Sequence, residues 1–275
     1  MIIGPNISPL PFYDSIELQN QRKDYAFGQI YPLIASIDAF LPFQIVVDGG
    51  VEARIASMGI VDYRTGENLR IDHEMESSGL TITEYPDADV SVVSFPGNSV
   101  GLAGYLSEGP YYFVISVSTA KSRGTYYSEV FTLCNDVTGY LRLEYSNSYN
   151  LATEKGIIQF GGNFKFICYL DTQIGRPEYV FEEEATERMG YTFIESQVSK
   201  KTYKFTFLAP EYLCDALRIV RLCDTKKIIS KGQSYSLTTF SMEPRWEEQG
   251  DLAAVECEFE TDTVIANIGG YKHKN

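Results

Sequence analysis

The chain has 275 residues, enough for two ordinary domains or one large β domain. Apolar residues make up 44% of it, which excludes a disordered chain. The formal net charge of −14 opposes phosphate backbones and anionic membrane surfaces, so neither nucleic acid nor anionic lipid is an expected partner.

Residues 1–40 are punctuated by Pro5, Pro9, Pro11 and Pro32. The first residues, MIIGPNISPLPFYDS, carry no basic region and no long apolar core, so no secretory signal is expected. Nowhere do eighteen apolar residues run together, so no membrane span is expected. This predicts synthesis in a cytoplasm without a signal peptide, with a virion released by lysis as one route out. Asp14 and Glu17 have capping-box spacing for a short helix. The stronger reading is an extended arm over 1–40, with Ile16, Leu18, Tyr25, Phe27, Ile30 and Tyr31 held against a surface. That surface is either the arm's own domain or a neighbouring subunit.

Strands begin near Leu41. PFQIVVDG ends at the Gly49-Gly50 turn, and VEARIASMGIVDYRTGENLRI reads as two strands broken near Met58-Gly59. GLTITEYPDADVSVVSFPG gives two more, split at Pro86-Asp87. The clearest element is the hairpin GPYYFVISVSTAKSRGTYYSEVF from Gly109 to Phe131. Phe113, Ile115 and Val117 alternate with Tyr112, Val114 and Ser116, the signature of a half-buried strand. About seven short strands at this spacing predict an immunoglobulin-like β-sandwich over 41–135.

The character shifts at CNDVTGYLRLEYSNSYNL, which places a domain boundary near residue 135. GIIQFGGNFKFICYLD reads as a strand pair joined by a tight Gly161-Gly162-Asn163 turn. Pro210 opens a helix whose Leu213, Leu217 and Val220 share a face, with Arg218 and Arg221 near its end. KKIIS, SYSLTTFSM and AAVECEFETDTVI supply closing strands. The expected fold is mainly β: the sandwich, then an α+β domain over 136–275 with a mainly antiparallel sheet and one helix near 210–223.

The residues give little support to catalysis. With only His73 and His273 present, a histidine triad or multi-histidine metal site would rest on His73. Asp72-His73-Glu74 reads as a polar strand end or loop. Glu182, Glu183 and Glu184 could supply a glycosidase pair only if two carboxylates faced each other across a cleft, and the run reads first as a solvated edge strand. Phosphate-loop, dinucleotide, GxSxG and HExxH motifs are lacking. Asp87-Ala88-Asp89 and Thr261-Asp262-Thr263 lack the EF-hand pattern and read as turns. The five cysteines, Cys134, Cys168, Cys214, Cys223 and Cys257, form no CxxC pair and read as buried, reduced thiols. No enzyme, cofactor or metal site is expected.

Twenty tyrosines and sixteen phenylalanines against a single tryptophan suit strand cores and protein interfaces. In Tyr111-Tyr112 and Tyr126-Tyr127 one ring lies on each sheet face, leaving the outward ring open to a partner. Together with the arm and the lone Trp246, this gives the candidate interaction surface Tyr25, Phe27, Tyr31, Tyr126, Tyr127 and Trp246.

The segments YDSIELQNQRKDYAFGQIYPL, LPFQIV, YYFVISVS, TYYSEVF, GRPEY, APEYLCDALRI and GDLAAVECEFETDTVI resemble tail or virion-associated proteins of phages and prophages from anaerobic gut bacteria. The likeness touches both halves of the chain. It implies a structural role in tail, baseplate or connector assembly through protein partners or self-association, with no catalytic residues to carry over. A carbohydrate-binding or adhesin module using surface aromatics is the alternative.

Overall fold

The computed structural model describes residues 8–21, 33–97, 104–153, 156–188, 190–246 and 252–267. Strands account for 57% of the structure, so the fold is mainly β. The first half supplies β1 (Phe12–Tyr13), α1 (Ile16–Gln21), β2 (Ile34–Ser36), β3 (Phe43–Asp48), β4 (Arg54–Asp62) and β5 (Asn68–Arg70). It continues with α2 (Asp72–Ser77), β6 (Thr81–Tyr85), β7 (Val90–Phe95), β8 (Gly109–Ser118), β9 (Arg123–Ser128) and β10 (Phe131–Cys134). The second half supplies β11 (Leu141–Ser146), β12 (Leu151–Thr153), β13 (Gly156–Ile158), β14 (Phe166–Leu170), β15 (Glu178–Arg188) and β16 (Tyr191–Pro210). After α3 (Glu211–Leu217) come β17 (Thr225–Ser230), β18 (Gln233–Ser236), β19 (Thr239–Trp246) and β20 (Leu252–Asn267).

β8 is the spine of the first half. Tyr111, Phe113, Ile115 and Val117 are buried, and the residues between them are half-exposed, as period-two patterning requires. β4 flanks β8 on one side, and β9 followed by β10 flanks it on the other. The β9–β10 arm is interrupted by a one-residue bulge: Tyr127 faces Val114, but Phe131 faces Tyr111. Ser128 Oγ fills the gap, accepting from the Phe113 N–H and donating to the Glu129 carbonyl, both at 2.8 Å.

β4 is continuous through Met58-Gly59, where the sequence suggested a break. A Cβ on Gly59 would lie 2.2 Å from Asn68 Oδ1 on β5, so the glycine permits a close approach rather than ending a strand. Asp72-His73-Glu74 opens α2 instead of closing a strand. Gly161–Asn163 forms a single 3-10 turn, not a hairpin; β13 before it pairs with β12, and β14 after it pairs with β11.

The antiparallel sheet β3-β7-β6 packs on the main sheet through aromatic rings. Phe43 meets Phe12 at 4.9 Å, Phe95 at 5.5 Å and Phe113 at 5.8 Å between centroids. Such pairs add roughly 0.5–1.5 kcal/mol each beyond the area they bury. The described part of the arm lies on its own domain. Leu10 and Phe12 are buried, β1 pairs with β9, and Gln19 donates to the Ser128 carbonyl. A short helix does form there, where an extended arm was preferred, because Ser15 Oγ caps it by accepting from the Leu18 N–H at 3.2 Å.

The main sheet continues past residue 135. β2 lies parallel to β10, with Ile34 opposite Thr132, and the same Ile34 faces Tyr169 of β14. From β14 the sheet runs on through β11, β17 and β18. The halves also meet on the outer face of β3-β7-β6. There the Gln44 amide donates to the Gln159 carbonyl and accepts from the Gln159 N–H at 3.0 Å, while Gln159 Nε2 donates to Thr83 Oγ1 at 3.0 Å. One buried apolar cluster runs from Leu10 to Phe259.

The remaining antiparallel sheet has the order β15-β16-β20-β19. Its inner face stacks Tyr203 on Phe259 at 5.3 Å and buries Phe205, Phe240 and Cys257. α3 packs beside β16 and β20 and continues as 3-10 helix over Arg218–Leu222. Pro210 takes the cap position, and Leu213, Leu217 and Val220 are buried as their spacing predicts.

Replacing Gln44 with Leu strands the Gln159 N–H and C=O without their partner, at a cost of about 1–3 kcal/mol. Urea denaturation should show this as a lower midpoint within one transition, followed alike by far-UV circular dichroism and tyrosine fluorescence. Two separated transitions would contradict the shared core.

Candidate interaction surface

The C-terminal sheet changes character along its length, and the sequence explains why. Over 202–210 β16 alternates: Tyr203, Phe205, Phe207 and Ala209 are buried, while Thr206 and Leu208 face out. Over 178–188 no such alternation exists. Tyr179, Val180 and Phe181 are consecutive, and Glu182–Glu184 follow at once, so neither strand face can be buried. Residues 178–185 are accordingly all exposed. With residues 191–201 of β16 and 263–267 of β20, β15 forms a three-stranded ribbon in which no described side chain is buried.

Two local devices shape this ribbon. Gly190, with φ of +80°, takes the left-handed conformation at the turn between β15 and β16. Where the ribbon leaves the body, the β16–β20 register shifts between Lys200 and Thr202, so residues 261 and 262 oppose residue 201. A bulge at such a point bends and twists the strand.

On one ribbon face Phe181 stands opposite Ser199, and Ser199 opposite Val264, while Tyr179 stands opposite Lys201. Tyr179, Phe181 and Val264 therefore share a side, with 61%, 73% and 65% of their surface exposed. Glu182 pairs with Lys200 at 2.8 Å, and Glu183 accepts from Gln197 at 2.7 Å. Lys204 lies 3.6 Å from both Glu178 and Glu258. Exposed pairs of this kind are worth roughly 0–1 kcal/mol. The hydrogen bond that Lys200 donates to Glu182 holds the Lys200 ammonium above its ordinary pKa, and the charges of Glu178 and Glu258 do the same for Lys204.

The residues singled out in the sequence do not converge. Tyr25, Phe27 and Tyr31 lie outside the described residues. Tyr126 belongs to the core, with 2% exposure, so its ring is not part of an outer surface. It faces Ile115 across the ladder and therefore shares the inward side of β8. Its ring folds back over Gly124, where a Cβ would come within 2.6 Å of the phenol oxygen. Tyr127 is the outward ring and is half-exposed. It lies near Tyr112, whose hydroxyl pKa is raised by burial and by neighbouring Tyr127 and Tyr63. Trp246 closes β19 with 46% of its surface exposed.

The motifs weighed for chemistry are equally dispersed. His73 is exposed on α2. Asp89 is bonded to Lys121, which lowers the carboxyl pKa. Glu182–Glu184 lie on the edge strand β15, as an acidic run suggested. Among the described residues no group of three or more His, Cys, Asp or Glu is placed to hold a metal ion, and no helix is long and apolar enough to cross a membrane. Comparison of the sequence with protein-family models and with curated proteins gives no match.

The exposed Tyr179 and Phe181 escaped the sequence reading, although a signal was available. A strand pair longer than about ten residues without period-two apolar spacing exceeds what a small body can cover.

All five cysteines are free, and Cys168, Cys214, Cys223 and Cys257 are buried. Burial pushes Cys214 up to about 11 and Cys168 and Cys223 up to about 12, and it raises Cys257 as well. The folded chain thus keeps thiol protons that the unfolded chain gives up near pH 9. This contribution to stability is complete below about pH 9 and is lost as pH rises toward about 12. Urea midpoints under reducing conditions should hold steady to pH 8.5 and then fall. At pH 8 a thiol reagent should label these four cysteines only after unfolding.

Proposed function

We propose that the chain is a non-enzymatic structural component of a phage- or prophage-encoded tail-like particle, acting through contacts with other proteins. The observation that carries this reading is the ribbon, which holds Tyr179, Phe181 and Val264 in solvent on one side of its sheet. Large apolar groups gathered on a surface mark contact sites. A stable contact of standard size buries about 1,600 Å², with aromatic anchors near its centre. The resemblance of both halves to virion-associated proteins supplies the setting, and the reading assigns no cofactor.

The decisive experiment is quantitative mass spectrometry of gradient-purified particles from an induced host that carries this gene. The chain should be recovered at a stoichiometry comparable to other structural subunits. Its absence from intact particles would overturn the assignment. Surface substitutions are the informative variants here, because deleting residues 1–40 would strip Leu10, Phe12, Ile34 and Ala35 from the core.

The half-exposed indole of Trp246 at the end of an edge strand favours a second reading, a carbohydrate platform. Binding on a glycan array that vanishes in Trp246→Ala would establish it, and a silent array would remove it.

A further inference from the structure

We propose that β15 is a docking edge that takes up a basic, extended protein segment as an added strand. β16 occupies one side of β15, and the other side is the edge of the four-stranded sheet. Eleven residues at roughly 3.3 Å each make this edge about 36 Å long. Edge strands in stable proteins are usually short, bulged away from solvent or covered. β15 is long, its residues 178–185 are exposed, and it carries Tyr179, Val180 and Phe181 beside its open backbone. Strand addition would use that backbone for affinity and the Tyr179–Phe181–Val264 side for an apolar anchor.

Charge selects the occupant. β15 carries Glu178, Glu182, Glu183, Glu184 and Glu187 against Arg188. Of these, Glu182 is paired with Lys200 and Glu178 lies 3.6 Å from Lys204. A second copy pairing antiparallel about the middle of β15 would set the Glu182–Glu184 run against itself, and like charges directly opposed destabilise a ladder. A segment that alternates Lys or Arg with apolar residues meets both features: its cations lie beside Glu178, Glu182 and Glu184 on one face, and its apolar side extends the Tyr179–Phe181 row on the other. The competing role for these glutamates is to repel unwanted strands. That role accounts for the charge but not for the aromatic residues placed beside it.

This inference rests on the proposed role in assembly and names the chemistry of one partner. The probe is a labelled synthetic peptide of alternating lysine and valine, matched in length to β15. It is compared with a glutamate–valine counterpart and with the same basic peptide interrupted by a central proline. Fluorescence anisotropy with the full chain should show saturable binding of the basic peptide that weakens with added salt. Binding should be at least tenfold weaker for the proline peptide and absent for the acidic one. Both Phe181→Ser and the double change Glu183→Lys with Glu184→Lys should weaken binding tenfold or more while keeping the wild-type circular dichroism melt. Should either variant unfold, the three-peptide comparison on the wild-type chain still decides.

Failure of the basic peptide to bind would overturn the proposal. Equal binding of the proline peptide would do the same, since it would mean attraction by charge alone. So would a dimer dispersed by Phe181→Ser, which would make the occupant a second copy. A chain that is present in particles but blind to the peptide loses only this inference. A chain that binds the peptide but is absent from particles loses only the functional assignment.

Discussion

Three residues, Ile34–Ser36, hold the two halves of the molecule in one sheet. β2 is buried on both sides, so its backbone polar groups need protein partners on both edges. It finds them in β10 along one edge and in β14 along the other. The Leu33 carbonyl accepts from the Thr132 N–H at 2.8 Å, and the Ile37 N–H donates to the Cys134 carbonyl at 3.0 Å, which extends the parallel ladder at both ends. Neither half can complete its hydrogen bonding without this segment. Its pairings span about a hundred residues of sequence or more, so much chain entropy must be lost before they form.

The ribbon obeys the opposite logic. Its strands owe their order to ladder bonds and to solvent-screened cross-strand pairs such as Glu182–Lys200. Among the described residues none of β15 is buried, so this part of the sheet belongs to the least stable end of the molecule's local openings. A chain that buries Phe43, Phe113 and Phe131 completely yet leaves Phe181 in water has a division of labour written into its aromatic residues. Most of them make a rigid body, and a few are kept back.

Local pattern was legible wherever one face of an element meets the core. The Gly109–Phe131 hairpin shows this, as do the Leu213–Leu217–Val220 stripe and the buried thiols. Long-range pairing was not legible. Ile34-Ala35-Ser36 has neither length nor alternation to mark it as a central strand, and parallel pairing leaves no turn signature. The polar run after Cys134 reads as a domain boundary, yet it is the turn from β10 to β11, two strands of a single sheet. The side occupied by Tyr126 depended on hairpin register, because a one-residue slip exchanges it with Tyr127. Register is fixed by turn geometry that composition alone does not specify.

Past the bulge at Lys200–Thr202, β16 and β20 continue from the ribbon into the aromatic interior, where they run antiparallel as far as Pro210 and Leu252. A pull on the ribbon tip along the strand direction is therefore carried to the aromatic interior by the same two strands. There it would have to slide many ladder bonds at once instead of peeling them one by one. The projection is thus rooted in the body, and tension applied at its tip would be borne by the fold that carries it.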